Sequence, residues 1–347
     1  MRIGMIGFGG IAGAHAPGWE KRAASHDLDV TVYDIAPERN EAARERGFAT
    51  VVDSLPELLD RVDTVDICTP SDTHADLVRQ VAAAGKHVLC EKPLGLTPDE
   101  AISAARACAE AGVLLYVGHV VRFFGQYRTA HDELMAGRLG QPAVLRFRRA
   151  GGLPRHNDWM TTEARSGGVV MDLMIHDIDQ ARWFAGDVVR AYGLATGKAE
   201  TGDVATQAFA VLTHESGAIT HLTASWAMKS GFATSFEIAG TEGMAVYDSD
   251  DHPVLRADRP ELLDRAGLLP VMVGDTPFVE EIIELADAIE FGKPARVAVA
   301  DAIAAVAVAD VVRTSIRTGQ AVEPTSVPDD LKAVASEGTR SASGTWM

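Results

Sequence analysis

The stretch His87–Leu96, HVLCEKPLGL, sets a lysine between an acid and a proline. Pro93 lacks a backbone donor and disfavours helical backbone at Lys92. The turn, and not a following helix, therefore fixes where the lysine stands. An ammonium held at such a turn can bind and polarise a substrate oxygen. It then stabilises alkoxide character as hydride leaves the adjoining carbon. A second reactive group lies in Ser166–Phe184, SGGVVMDLMIHDIDQARWF. At about 100° per residue, Asp172, His176, Asp179 and Trp183 fall on one helical stripe. Met171, Met174, Ile175 and Ile178 form the apolar stripe beside it. A histidine at the edge of a buried face can take the proton of a substrate hydroxyl near neutral pH, and Asp172 can orient the imidazole or the substrate. Taken singly, each group has a plainer reading: an exposed turn lysine, and a solvated polar stripe or a core histidine. No cysteine or second histidine stands at ligand spacing near His176, so no metal is expected.

The N-terminus, MRIGMIGFGGIAGAH, fits G-x-G-x-x-A at Gly7, Gly9 and Ala12. The motif follows an apolar strand and opens a helix, the context that binds a dinucleotide pyrophosphate. Gly7, Phe8, Gly9, Gly10, Ile11 and Ala12 are the expected phosphate loop. Asp34, 22 residues beyond Ala12, ends the second strand. There it meets the adenosine ribose and repels a 2′-phosphate, favouring NAD over NADP, although Arg39 close by offsets part of that repulsion. In VDICTPSDTHADLV a strand ends at Thr69-Pro70 and a helix starts near Thr73. Ligands sit at the carboxyl ends of parallel strands, which makes Thr69, Pro70 and His74 candidate cofactor neighbours. Ser71 or Asp72 also serves as a helix cap. Pro17, inside the first helix, is expected to kink or shorten it.

The elements that must hold these groups follow from hydrophobic periodicity. Arg2–Ile6, Asp29–Asp34, Thr64–Cys68, His87–Cys90 and Leu114–Val117 read as buried strands. Pro37–Arg46, His74–Ala84 and Pro98–Ala111 between them read as helices. That alternation means a parallel sheet of βαβ units over residues 1–120. Beyond Gly118 the rhythm changes. A helix is expected at Gln126–Ala136, a strand at Ala143–Arg149 and a helix over about Ser166–Ala185. Alternating strands follow at Val188–Gly197, Val204–His214, Ala218–Met228, Phe232–Ala239 and Met244–Tyr247, joined by ESGA and GTEG turns. Such neighbours form an antiparallel or mixed sheet. Helices return at Phe278–Phe291 and Asp301–Thr318. Residues 121–331 are taken as one second domain and 332–347 as a frayed tail.

The bulk numbers close off other classes. The 347 residues are 47% hydrophobic and 23% charged, enough for two globular domains. A net charge of −17 argues against nucleic acid as a partner. No apolar run reaches membrane-spanning length, and no signal peptide is read at the start. Three cysteines without metal-type spacing, Cys68, Cys90 and Cys108, read as reduced residues of a cytoplasmic protein. In the later strands both side-chain sets are apolar, Phe209 and Val211 against Ala210 and Leu212. One sheet face is thus left for a homodimer or homotetramer.

Together GFGGIA, VDICTPSDTH, GKHVLCEKPL and GGVVMDLMIHDID, in that order, resemble the glucose–fructose oxidoreductase / inositol dehydrogenase / rhizopine-catabolism (Gfo/Idh/MocA) family. The resemblance runs from about Met1 to Pro324. It implies an α/β Rossmann domain followed by a C-terminal α+β domain with a large, mostly antiparallel, mixed open sheet. It implies bound NAD or NADP and hydride transfer at a carbinol carbon of a sugar, cyclitol or polyol. It assigns Lys92, Asp172 and His176 as the catalytic residues, lines the cofactor site with Glu91 and Lys92, and puts a cis bond before Pro93. Substrate contacts are expected from His119, Arg122 and Phe123 in GHVVRFFGQY and from Arg155, His156, Asn157 and Trp159 in GGLPRHNDWM, besides Lys92, Asp172 and His176. Two rival readings stay open: a dinucleotide-binding sensor, and a same-fold enzyme with other chemistry such as imine or enone reduction or NAD-assisted glycoside cleavage.

Overall fold

The computed structural model describes residues 1–26, 28–48, 50–154, 158–199, 202–250 and 275–333. The expected frayed tail, beyond Ala333, lies outside them. The described chain forms two compact units. One joins 1–123 to 275–303 and 327–333; the other joins 124–250 to 304–326.

The first unit opens with β1 (Arg2–Ile6), α1 (Gly10–Ser25), β2 (Asp29–Tyr33), α2 (Pro37–Arg46), β3 (Thr50–Val51) and α3 (Leu55–Arg61). It continues with β4 (Thr64–Ile67), α4 (His74–Ala83), β5 (His87–Glu91), α5 (Pro98–Ala111) and β6 (Leu115–Gly118). The six strands pair in parallel in the order β3-β2-β1-β4-β5-β6. The order reverses beside β1, which makes the carboxyl ends of β1 and β4 the switch point where such sheets take ligands. Local chemistry starts and stops the helices. Ser54 and Thr97 accept the N–H groups of Glu57 and Glu100, and left-handed Gly47 and Gly112 end α2 and α5. β3 and α3, at two and seven residues, escape periodicity.

α1 corrects the expectation that Pro17 shortens it, for the helix continues from Gly10 to Ser25 through the proline. The proline ring crowds the carbonyl four residues back, which here belongs to Gly13.

The second unit has α6 (Gly125–Met135), β7 (Pro142–Gly152), α7 (Glu163–Ser166), α8 (Ile175–Ala185), β8 (Val188–Thr196), β9 (Gln207–His214), β10 (Ile219–Ser225), β11 (Ala227–Gly240) and β12 (Met244–Asp248). Its sheet runs β12-β11-β7-β10-β9-β8; β7 and β10 are parallel and every other pair is antiparallel. One face packs under helices. Arg149 of β7 forks onto Asp177 of α8 at 2.7 and 3.3 Å, both side chains buried, and so fastens α8 to the sheet.

The chain then forms α9 (Pro277–Phe291), α10 (Val299–Thr318) and α11 (Asp329–Ala333). α10 starts in the first unit and continues from Ala304 in the second, where Gly193 of β8 admits it closely: a Cβ there would lie 2.8 Å from the Val312 carbonyl. α9 belongs to the first unit, although the sequence reading set all of 121–331 in the second. Its Ile282, Leu285 and Ala286 join Ile3, Met5, Trp19 and Leu89 in one core. Gly18 of α1 makes that approach possible, since a Cβ there would stand 2.7 Å from Ile282 Cβ. Gly18→Val is expected to cost about 2 kcal/mol, as overpacking outweighs the gain in helix propensity. Urea unfolding measures it; an unchanged midpoint would mean that the two helices part freely.

Candidate active site

The glycine loop is built as the motif requires. Gly7 has φ +85°, and a Cβ there would lie 2.8 Å from the Cys68 carbonyl oxygen. Gly9 precedes α1 in extended conformation, and among the described residues no side chain caps that helix. Added Cβ atoms at Gly9 and Gly10 would meet nothing within 4 Å. The open helix N-terminus, with its free N–H groups and positive dipole end, fits a pyrophosphate. Phe8 gives the loop only its backbone: its ring turns into the core against Phe48. Its N–H donates to Asp34 Oδ2 at 2.7 Å, and the Ala36 N–H donates to Oδ1 at 2.8 Å. These bonds fix the Asp34 carboxylate and leave it lone pairs for ribose hydroxyls. Beside it a cleft of about 280 Å³ is lined by Asp34, Ile35, Arg44 and Asp53 among others. Ile35, 87% exposed where it lines this cleft, is an apolar side chain that would suit an adenine face. Arg44, and not Arg39, lines this cleft.

At the ends of β4 and β5, Thr69 and Pro70 are half-buried, and Thr69 Oγ1 lies 2.6 Å from Thr73 Oγ1. His74, expected near the cofactor, is an internal strut. Its ring is buried, with Nδ1 2.7 Å from the Pro93 carbonyl and Nε2 2.9 Å from that of Thr69. Burial pushes its pKa below the ordinary value, and the two carbonyls act against that shift. The Lys92–Pro93 bond is cis. Across Val88–Leu96 every residue is buried except Lys92. The Lys92 N–H donates to Glu91 Oε2 at 3.0 Å, while the side chain emerges at the surface.

The second unit presents its reactive pair in the same way. Left-handed Gly167 and Gly168 end the short α7. A wide helical turn over Val170–Met174 follows, closed by the Ile175 N–H on the Val170 carbonyl, before α8 begins. Asp172 lies in that wide turn and His176 in the first turn of α8. From Ser166 to Ala181 they are the two residues that are not buried. The continuous helix expected over Ser166–Ala185 is therefore interrupted, and the extra residue in the turn shifts its phase. Asp179 turns inward, where it accepts Gln180 Nε2 at 3.2 Å. Trp183 stacks on His131 at 3.7 Å.

The remaining expected contacts divide. His119 and Arg122 are each 1% exposed. The Arg122 guanidinium donates at 3.1 Å both to Asp301 and to the Arg296 carbonyl, and Phe123 packs beneath Arg296, so this segment reads as a brace. Trp159 is half-buried in a turn. Arg155, His156 and Asn157 lie outside the described residues.

A phosphate-ready helix N-terminus at the switch point of a six-stranded parallel sheet defines an NAD-binding dehydrogenase fold, completed by a mixed-sheet second domain. Residues 1–119 match the model of the oxidoreductase family with an NAD-binding Rossmann fold, and residues 127–246 match the GFO/IDH/MocA C-terminal domain. The chain belongs to this family of oxidoreductases. It is 31% identical over 262 residues to a myo-inositol 2-dehydrogenase of Thermotoga maritima, covering 72% of this chain and 75% of the relative. It is 33% identical over 258 residues to a 1,5-anhydro-D-fructose reductase of Ensifer adhaerens, covering 71% and 75%. The solved structure of GenD2 from gentamicin A biosynthesis, in complex with NAD, superposes with TM-score 0.82 at 26% identity, over 94% of this chain and 97% of that one. No helix among the described residues is long and apolar enough to cross a membrane.

Proposed function

We propose that this chain is an NAD-dependent dehydrogenase oxidising a CH–OH group of a cyclitol, sugar or related polyol. One observation carries the reading. In two long buried stretches, one in each unit, the residues that reach solvent are Lys92 in the first and Asp172 with His176 in the second. A fold that needed them only for packing would have no reason to spare these three. Relatives named for myo-inositol and anhydrofructose support the substrate class.

Bound NAD supplies the hydride acceptor. Gly7–Ala12 hold its pyrophosphate, Asp34 its adenosine ribose, and Ile35 its adenine. Lys92 binds the reacting oxygen and stabilises the negative charge it gains. His176 accepts the hydroxyl proton, and Asp172 orients it. A panel of cyclitols, sugars and polyols, followed at the NADH absorbance, tests the proposal. NADH growing with one member supports it; binding of NAD with turnover of none favours the sensor reading.

Cofactor choice follows from Asp34. Asp34→Ser is expected to weaken NAD binding about tenfold and narrow its advantage over NADP, since one charge-assisted bond pattern and one repulsion go together. Titration with both cofactors decides it, and a wild type that already prefers NADP would refute this assignment. The three free, buried cysteines accord with a reducing, cytoplasmic site of action.

The exposed face of the second sheet supports self-association. Tyr192 and Leu194 of β8 stand opposite Val211 and Phe209 of β9, and all four side chains are exposed. Such a patch is unusual on a monomer. A homodimer or homotetramer through this face is the expected state. Light scattering at micromolar concentration reports the mass, and a single-chain value excludes this assembly.

A further inference from the structure

Four ionisable side chains meet inside the first unit, under the turn that carries Lys92. They are His15 of α1, Asp66 of β4, Glu91 at the end of β5 and Glu281 of α9, at 0, 0, 5 and 0% exposure. His15 Nδ1 lies 3.0 Å from Asp66 Oδ2, and Nε2 lies 3.1 Å from Glu91 Oε1. Asp66 also accepts Trp19 Nε1–H at 2.8 Å and the Cys68 thiol at 3.3 Å. Glu91 accepts the Lys92 N–H on its other oxygen. Gly118 clears the seat of Glu91, since a Cβ there would lie 3.0 Å from Oε1. Glu281 brings a carboxylate oxygen within 4.8 Å of His15 and Glu91, and neither of its oxygens has a hydrogen-bond partner among the described residues.

The donors settle the charges. A neutral imidazole donates from one nitrogen only. Here both nitrogens face carboxylates whose other positions are already filled by donors. An imidazolium donates to both, and this geometry favours that form of His15. Burial opposes that charge, but Asp66 and Cys68 outweigh it and raise the pKa well above the ordinary value. Glu281 goes the other way: burial first, then the charge of Glu91, raises its pKa well above the carboxylate range and keeps it a neutral acid. The Cys68 and Cys90 thiols, pushed up by burial, are neutral too. Two further charged groups bear on the cluster: Lys92 follows Glu91 in the chain, and the charge of Glu284 adds to the upward push on Glu281. One imidazolium and two carboxylates leave the buried network with one negative charge.

The sheet order places that charge. Asp34 ends β2 on one side of the switch point, so the ends of β4 and β5 on the other side would hold the nicotinamide half. Glu91, alone of the four in having any exposure, ends β5. An oxidised nicotinamide ring carries a positive charge and a reduced one does not. We propose that His15, held between Asp66 and Glu91, is a positioning residue that keeps Glu91 fixed and ionised beside the nicotinamide, and that the net charge of this network tightens the grip on NAD⁺ relative to NADH. The inference rests on the dinucleotide site proposed above but needs no assumption about substrate.

The experiment measures dissociation constants of NAD⁺, NADH and ADP-ribose on the full chain, without substrate. Glu91→Gln is expected to worsen the NAD⁺/NADH preference by about tenfold, the size of one charge acting across several ångströms of partly screened medium. ADP-ribose binding should change little. In His15→Gln, Glu91 loses the donor that holds its Oε1. The preference for NAD⁺ should then fall toward that of Glu91→Gln while ADP-ribose binding holds, a split that a merely structural histidine would not produce. Glu281→Gln replaces one neutral group by another and should leave the preference unchanged. An unaltered preference in Glu91→Gln or in His15→Gln, or a shift in Glu281→Gln, overturns the proposal. So does a stoichiometric divalent metal in the purified protein, because His15, Glu91 and Glu281 stand close enough to ligate one and it would replace the proton. A wild type that binds neither cofactor refutes the dinucleotide reading itself, whereas an inactive substrate panel leaves this test standing.

Discussion

Lys92→Met is expected to lower turnover by about 10²–10³-fold while NADH binding stays near wild type. The size is that of removing one preorganised donor from a developing oxyanion. Methionine keeps the length and apolar volume of the side chain and removes the charge with its three donors. The cofactor is held elsewhere, at the open end of α1 and at Asp34, so the ground state loses little. An interaction made mainly in the transition state is lost from kcat and not from binding. Lys92→Arg should also be poor, because a planar fork does not reproduce a compact ammonium in a turn where all the neighbours are buried. Single-turnover hydride transfer and NADH fluorescence titration separate the two effects. Parallel loss of both would make Lys92 a cofactor or folding residue.

His176→Ala is expected to reduce kcat by about 10²–10⁴-fold in the oxidative direction, the range for losing a general base. Wild-type activity should rise with pH as the imidazole loses its proton, and the variant should lose that limb of the profile. Stability should move far less than turnover, since His176 is only partly buried. A variant with near-wild-type turnover and a reduced unfolding midpoint would make His176 a structural residue, and Asp172 would lose its assigned role with it.

What the sequence made legible was what depends on neighbouring residues. Gly7, Gly9 and Ala12 declare a phosphate loop because the turn and the helix start are local, and Asp34 is found by counting along one βαβ unit. Lys92 and the Asp172–His176 pair are visible as reactive types in apolar runs. Relations across the chain were not legible. His15 meets Asp66 over 51 residues and Glu91 over 76, and each alone looks like an ordinary helix or strand position. Asp66, an acid amid the apolar VDIC strand, was the one signal of a buried network. The wide turn at Val170–Met174 has no composition cue, so the helical wheel placed Asp179 and Trp183 beside His176 and left Asp177 unnoticed. The structure gives Asp177 the bond to Arg149 that anchors α8.

The return of α9 to the first unit makes the nucleotide-binding half of this enzyme a unit assembled from separate stretches of one chain. A ribosome delivers Gly18 and Trp19 early, but Ile282 and Leu285, which cover them, more than 250 residues later. Until then the nascent sheet carries an uncovered apolar groove along α1, and the segment 124–274 must emerge in the interval. That segment is thus an insertion within the nucleotide-binding module and not an appendage to it. Of His15, Asp66, Glu91 and Glu281, the buried acid Glu281 arrives last, so the charge environment of His15 is completed only after the whole second sheet has been made.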